Sequence, residues 1–494
     1  MGAAEESQMP SGARHQSNGD DAAALARLGV KQELNRNFSL ISMLGLAFAI
    51  LNSWTALAAS LSLALPSGGP SAVIWGLIVA GLCNLALAFS LAEFVSAYPT
   101  AGGQYHWAAI ISWKKWSPLI SFATGWINVA AWVCLTATGG LLGSQLIVGV
   151  ISLFNEDYVP QPWHQFLIYI GYTVAAFLIN AFMNRLLPYF TKAAFFWSLA
   201  GFAIISITVL ACSHGDYQSG SFVYGDFINT TGWPDGFAWL LGLLQGAFAL
   251  TGFDATIHMI EEIPNPQREG PRIMILCILI GMFTGFIFLS CLLFVLKDVD
   301  TVISSAAGPL LQILFDATNN KAGATCLLVF PLVCMLFTTT SIMTTSSRMS
   351  YAFARDKGLP FSRLFAQIHP GLDVPLWALV WTTVWVIIFG CIFLGSSSAF
   401  NAIVSASVVA LGVTYGIPPA INCLRGRKML PENRPFKLGP VMGWTMNLVS
   451  TSFSPPQAKT NTRLTPRSRS ELHGLSSPLS CSSSLPWKRS RVTT

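Results

Sequence analysis

Ten apolar runs, each about as long as one crossing of a bilayer, constrain this chain more than any other feature. They lie at roughly 39–64, 71–95, 118–152, 164–184, 190–212, 236–260, 272–296, 323–347, 375–395 and 399–423. A helix needs about 20 apolar residues to cross roughly 30 Å of hydrocarbon. With no water there, every backbone polar group must be satisfied inside the protein, and a helix does this within one segment. The expected fold class is therefore all-α, a polytopic membrane protein. The third run is longer than one crossing needs, so it is expected to tilt or to reach into the interface. Composition agrees: only 10% of the 494 residues are charged, against about 25% in soluble domains. That is too little charge to coat a soluble surface.

Charge also gives an orientation. The net charge of +6 would suit a nucleic-acid partner if it were clustered, but it is dispersed among short loops. With the N-terminus placed in the cytosol, the inside loops hold fifteen Lys and Arg residues and the outside loops hold only Lys297 and Lys321. That asymmetry is the expected one for an N-in membrane protein. Residues 1–38 are polar and lack the apolar stretch of a signal peptide, so they read as a disordered cytosolic tail. Residues 39–450 form the transmembrane domain. Residues 451–494 hold 11 Ser, 5 Pro and a single acid, Glu471. This tail reads either as disordered or as the product of a frameshifted or mis-spliced 3′ end. Asn229, in the triplet Asn229-Thr230-Thr231 of an outside loop, is a glycosylation candidate. No cysteine pair or histidine cluster has metal-site spacing, so no metal or cofactor is expected.

Two apolar runs carry polar residues and glycine where hydrocarbon depth should exclude them. In the first, Asn52, Ser53 and Thr55 stand near the middle. In the sixth, Thr251, Gly252 and Asp254 interrupt the half nearer the cytosol. Non-helical backbone at that depth is tolerated only where it is buried in protein or lines a cavity, and an intramembrane acid is a functional candidate. Asp254 also has a plainer reading, as the inner end of a short helix. The two runs stand five spans apart, the placing expected of a five-plus-five repeat whose second half is inverted, with the site near the midplane between the breaks. A freed helix start near Ser53 to Thr55 suits a carboxylate. Freed carbonyls near Ala249 to Thr251 suit an ammonium. Trp54, Phe248 and Phe253 flank the breaks, and they read either as a cage for a quaternary amine or as packing aromatics. Two inner loops add residue patterns: Glu93, Pro99, Gly102, Gly103 and Tyr105 after span two, and Arg348, Arg355 and Asp356 after span eight.

The segments LNRNFSLISMLGLAFAILNSW, AEFVSAYPTAGGQYHW, ITVLACSHG, GFDATIHMIEEIPNP and SRMSYAFARDKGLP occur in this order. Together they resemble the amino acid–polyamine–organocation transporter superfamily, in particular its fungal-type branch of choline, γ-aminobutyrate and amino acid permeases. The resemblance runs from about residue 33 to about residue 449. It implies twelve spans, of which ten form the transport core, so the last two would be missing here. It also implies a substrate site at Asn52, Ser53, Trp54 and Thr55 and at Thr251, Gly252, Phe253 and Asp254. Thr136, Thr338 and Thr339 are candidates from spans three and eight. Some relatives couple protons through a lysine in span five. Lys192 lies near that place, at the cytosolic start of its helix, where the plainer and favoured reading is a lysine snorkelling to the interface.

The expected function is secondary transport of a small amino acid, γ-aminobutyrate or a choline-like amine by alternating access, coupled to protons, with the plasma membrane as the default location and a vacuolar or mitochondrial one as the alternatives. The competing readings are a non-transporting nutrient sensor on the same scaffold and an inactive truncated isoform. A membrane enzyme would need paired acids or clustered histidines at one depth, and the seven histidines are scattered. An ATP-driven pump would need a GxxxxGK[ST] loop, which the chain lacks.

Overall fold

The computed structural model describes residues 36, 38–155 and 157–461, with side chains excluded at 397–404 and 453–461. Nearly all of the expected N-terminal tail and the C-terminal stretch from 462 lie outside the described residues. Among the described residues the chain is helical, with two isolated β-bridges and no strand. We number the principal helices α1 Leu40–Leu51, α2 Ser53–Ala59, α3 Gly69–Ala97, α4 Gln104–Ile111, α5 Ser117–Phe154, α6 Pro162–Phe182, α7 Leu187–Cys212, α8 Asp235–Ala249, α9 Ala255–His258, α10 Pro266–Val295, α11 Pro309–Thr318, α12 Lys321–Arg355, α13 Leu376–Gly395, α14 Ser397–Leu424 and α15 Pro440–Asn461.

Nine stretches of the described residues are long and apolar enough to cross a membrane. The expected sixth span is not one of them, for a physical reason. Its helix α8 stops after 15 residues at Ala249, and only four residues, Ala255–His258, resume as α9. The first span is interrupted too, where Asn52 takes the left-handed conformation (φ 41°, ψ 40°) between α1 and α2. Asparagine is among the few non-glycine residues that visit this region readily. At 1.5 Å per residue the 38 residues of α5 make a helix of about 57 Å, so it must tilt or protrude. Near the carboxyl end, α15 continues helical past residue 450, beyond the boundary drawn from composition.

Spans pair off under exchange of span n with span n + 5. Span 1 packs on span 7, and span 6 on span 2; span 3 packs on span 10, and span 8 on span 5; span 4 packs on span 8, and span 9 on span 3. Spans 2 and 7, 3 and 8, and 4 and 9 each pack on their own counterparts. Such pairing is what a pseudo-twofold relation between two five-helix halves produces. The pairing is incomplete: the broad contact of span 1 with span 5 has its counterpart between spans 6 and 10 chiefly in Tyr415 against Gly252, Phe253 and Asp254, and the contacts of span 1 with span 8 and of span 9 with span 10 have no comparable counterpart.

The centre of the bundle is polar for a buried core. Along α12, the residues from Thr338 to Ser347 are all buried. Their hydroxyls would be costly without partners. Thr338, Thr339, Thr340, Thr344 and Thr345 each bond the carbonyl four residues earlier, so the threonine hydroxyls of this helix are satisfied along its own backbone. Small residues let the central helices approach closely. A Cβ on Gly139 of α5 would fall 2.8 Å from the hydroxyl oxygen of Thr339 on α12.

Candidate substrate site

The two breaks face one another across a small cavity. Ile50, Leu51, Asn52 and Ala56 line it from span 1, Phe248 and Thr251 from span 6, and Leu135, Thr138, Gly139 and Leu142 from α5, with Met335, Thr338 and Ile342 from α12. Its volume is about 30 Å³, room for a water molecule or two. The α5 positions follow an i, i+3, i+4, i+7 face, as one side of a helix must. None of the described residues that line the cavity is charged. Its polar groups are the amide of Asn52, the hydroxyls of Thr138, Thr251 and Thr338, and backbone freed by the breaks. Thr338 donates to the carbonyl of Ala49 at 2.8 Å, tying α12 to the end of α1. Gly252 has φ +98°, and a Cβ there would lie 2.9 Å from Ile50 Cγ2. The span-6 break therefore needs glycine both for its conformation and for its approach to span 1.

Thr138, Leu142 and Phe248 also line a second cavity of about 290 Å³, bounded by Ser60, Ser62, Gln145, Leu244 and Ser405. This vestibule lies toward the end of the bundle that carries the acidic loops. Phe248 stands between vestibule and inner cavity.

The opposite end, which carries the basic loops, is closed by side chains. Arg355 makes two bonds to Glu261, at 2.9 and 3.0 Å, and the same carboxylate accepts from the backbone N–H of Ala101 at 3.1 Å. Arg348, 1% exposed, donates to Glu262 at 3.1 Å and to Asn184 at 2.9 Å. The Tyr105 hydroxyl donates to Asp356 at 2.8 Å. Burial, then the Asp356 carboxylate, push the Tyr105 phenol well above its usual range, so it remains a donor. Gly103, at φ +55°, lets the loop lie against span 6, because a Cβ there would meet Ile257 at 2.6 Å. Glu93, at the end of α3, holds the segment after α14 through Arg427 at 2.7 Å and Arg434 at 2.6 Å. A Cβ on Gly102 would fall 2.8 Å from the ring and hydroxyl of Tyr105 in α4.

The sequence-derived residues thus fall into groups. Asn52, Phe248, Thr251 and Thr338 line the cavity, with Gly252 behind it against Ile50. Ser53 faces Gly281 of α10. Trp54 turns away, donating to Ser198 at 2.8 Å and packing on Phe288. Thr55 is fully buried outside the lining. Phe253 packs on Tyr415. Thr136 bonds back along α5, and Thr339 lies against Gly139. Asp254 lies toward the basic end, bonded to Gln104, His258 and Tyr415. Lys192 reaches the ring of Tyr189, on its own helix. Asn229 uses its amide N–H groups on Trp233 and Asp235. Thr138, Met335 and Ile342 were missed. The face shared with Leu135 and Leu142 could have identified Thr138, but α5 is apolar nearly all round and shows no periodicity by which to choose a face.

Two broken helices crossing at a small cavity, with a vestibule at one end and a charged plug at the other, suit a membrane carrier. Comparison with known proteins agrees. The family described as amino acid permease matches residues 38–455. The chain belongs to this permease family. It is 35% identical to a Macrophomina phaseolina protein assigned by name to the amino acid/polyamine transporters, over 80% of this chain and 88% of that one. It is 33% identical to the choline transporter of Saccharomyces cerevisiae, over 90% of this chain and 80% of the relative. It is 29% identical to the amino-acid permease BAT1 of Arabidopsis thaliana, over 88% of each. The permease is accordingly an integral multi-pass membrane protein.

Proposed function

We propose that this permease is a secondary carrier of a small amino acid, γ-aminobutyrate or a choline-like amine, working by alternating access and coupled to protons. The observation that carries this reading is the cavity at the crossing of the two breaks, open toward a vestibule on one side and plugged by ion pairs on the other. At about 30 Å³ the cavity is collapsed, and substrate entry must expand it by moving Phe248 or the half-helices. Uncharged lining with freed carbonyls and one aromatic ring suits a compact cation or zwitterion better than an anion. The names of the relatives, a choline transporter among them, point to the same chemistry. In this reading the basic end is cytosolic, following the positive-inside rule, and the membrane is the plasma membrane.

The test is uptake of labelled choline, γ-aminobutyrate and a panel of amino acids into cells lacking their own permeases, with and without a protonophore. Saturable uptake of one of them that collapses with the protonophore is the expected result. Surface-expressed protein that takes up none would contradict the reading.

Gly252 supplies a sharper prediction. Gly252→Ala forces a side chain into a glycine-favouring conformation and against Ile50, at a cost of about 1–3 kcal/mol. If the break takes part in the transport cycle, maximal uptake falls roughly fivefold to a hundredfold at matched surface expression. Uptake within twofold of the parent would separate the break from the rate-limiting motion.

A further inference from the structure

Between the cavity and the plug lies a buried pair that the substrate site does not use. Asp254 and His258 stand four residues apart, one turn of helix, and neither side chain is exposed. His258 Nδ1 is 2.9 Å from the carbonyl oxygen of Ala101. A carbonyl oxygen only accepts, so Nδ1 carries hydrogen. His258 Nε2 then faces Asp254 Oδ2 at 3.3 Å. The contact is a hydrogen bond only if one proton lies in it, on the imidazole as an imidazolium or on the carboxyl group. In either form the pair is neutral overall. Without that proton a carboxylate confronts a ring lone pair in a dry site, which is costly.

Among the described residues the surroundings do not supply a compensating cation. Span 10 contributes the hydroxyl of Tyr415, which donates to Asp254 Oδ1. The first turn of α4 contributes Gln104, donating to Oδ2 at 2.8 Å, with its oxygen held by Asn128 of α5. Trp132 of α5 stands edge-on to the His258 ring at 5.8 Å. Cys277 of α10 lies behind Tyr415. Of the plug residues, Glu261 reaches Ala101, and Arg355 of α12 is engaged by Glu261.

The pair is also wired in two directions. Tyr415 accepts from the backbone N–H of Gly252 at 3.3 Å, so Asp254 is tied to the span-6 break. Ala101 accepts from His258 and donates to Glu261, so His258 is tied to the plug. Losing the proton leaves the Asp254 carboxylate against the Nε2 lone pair, so the contact that joins the break to the plug is lost, and opening the plug admits the water that can take the proton away. We propose that Asp254 and His258 form the proton-coupling site of this carrier, holding one proton while the basic end is closed and releasing it when that end opens. This rests on the carrier reading above. It places coupling on span 6 and not at Lys192.

The experiment uses the full chain in proteoliposomes with labelled choline and γ-aminobutyrate. Its readout is the ratio of uptake with an inward proton gradient to uptake without one. The ratio is expected to exceed unity in the parent and in Lys192→Ala, and to fall to unity in Asp254→Asn and His258→Gln. Either of the latter keeping the parent ratio overturns the proposal. Parental exchange that ignores the gradient overturns it while leaving a carrier, and no parental exchange at all overturns both readings. Where a variant fails to fold, Trp132 serves in the parent protein. The emission difference between the parent and Trp132→Phe should change with pH as the Asp254–His258 pair gains or loses its proton, and a pH-independent difference overturns the proposal.

Discussion

Arg355→Ala is expected to open the basic end of the bundle. Its guanidinium makes two charge-assisted bonds to Glu261, and Glu261 also holds the backbone of Ala101. Hydrogen bonds to charged groups contribute about 1.5–3 kcal/mol, so the closed state loses roughly tenfold to a hundredfold against the open one. A cysteine placed at Ile50, which lines the cavity, provides the readout in a background without the native cysteines. With Arg355→Ala this cysteine should react with a membrane-impermeant maleimide from the basic side at least several times faster. Uptake should fall as well, because the vestibule-open state is depopulated. An unchanged labelling rate would mean that the Arg355–Glu261 pair braces the loops without gating access.

Arg348→Met should damage the protein itself. Arg348 is 1% exposed and engages both Glu262 and Asn184. Breaking a buried ion pair from one side costs about 3–5 kcal/mol, because the remaining charge is left uncompensated. Burial already pushes the Glu262 carboxyl up, against the opposing pull of Arg348, so without the arginine it should take a proton. That eases the charge penalty and leaves Asn184 without its partner. The expected result is a clearly lower thermal midpoint in detergent and reduced surface expression. Adding Glu262→Gln should recover part of the loss. Wild-type stability in Arg348→Met would show that the pair contributes nothing net, which occurs when desolvation balances attraction.

The sequence exposed what is chemically out of place in a membrane and hid what is only geometric. Asn52 and Gly252 could be found because a polar amide and a glycine beside polar residues stand out at hydrocarbon depth, where they are tolerated if the backbone is buried in protein or lines a cavity. The loop charges gave one end its basic character, and at that end Arg348, Arg355 and Asp356 meet their partners. Facing was harder. Trp54 resembled a cage residue by proximity to the break, yet its indole N–H requires a partner when buried and finds it in Ser198. Thr136 and Thr138 are equivalent in composition, and only the packing of α5 separates them. The plug pairs join residues far apart in sequence, and no local pattern joins Glu261 to Arg355 across 94 positions.

The central claim, that a small molecule moves through the cavity between the two breaks, is tested most directly by counterflow. Purified protein in proteoliposomes is preloaded with unlabelled choline or γ-aminobutyrate and presented with the labelled compound outside. The account predicts transient accumulation of label above its equilibrium level for one of the two, abolished when a bulky residue fills the cavity, as in Ala56→Trp. Saturable binding of label with no exchange across the membrane would contradict it and identify a sensor built on a permease scaffold.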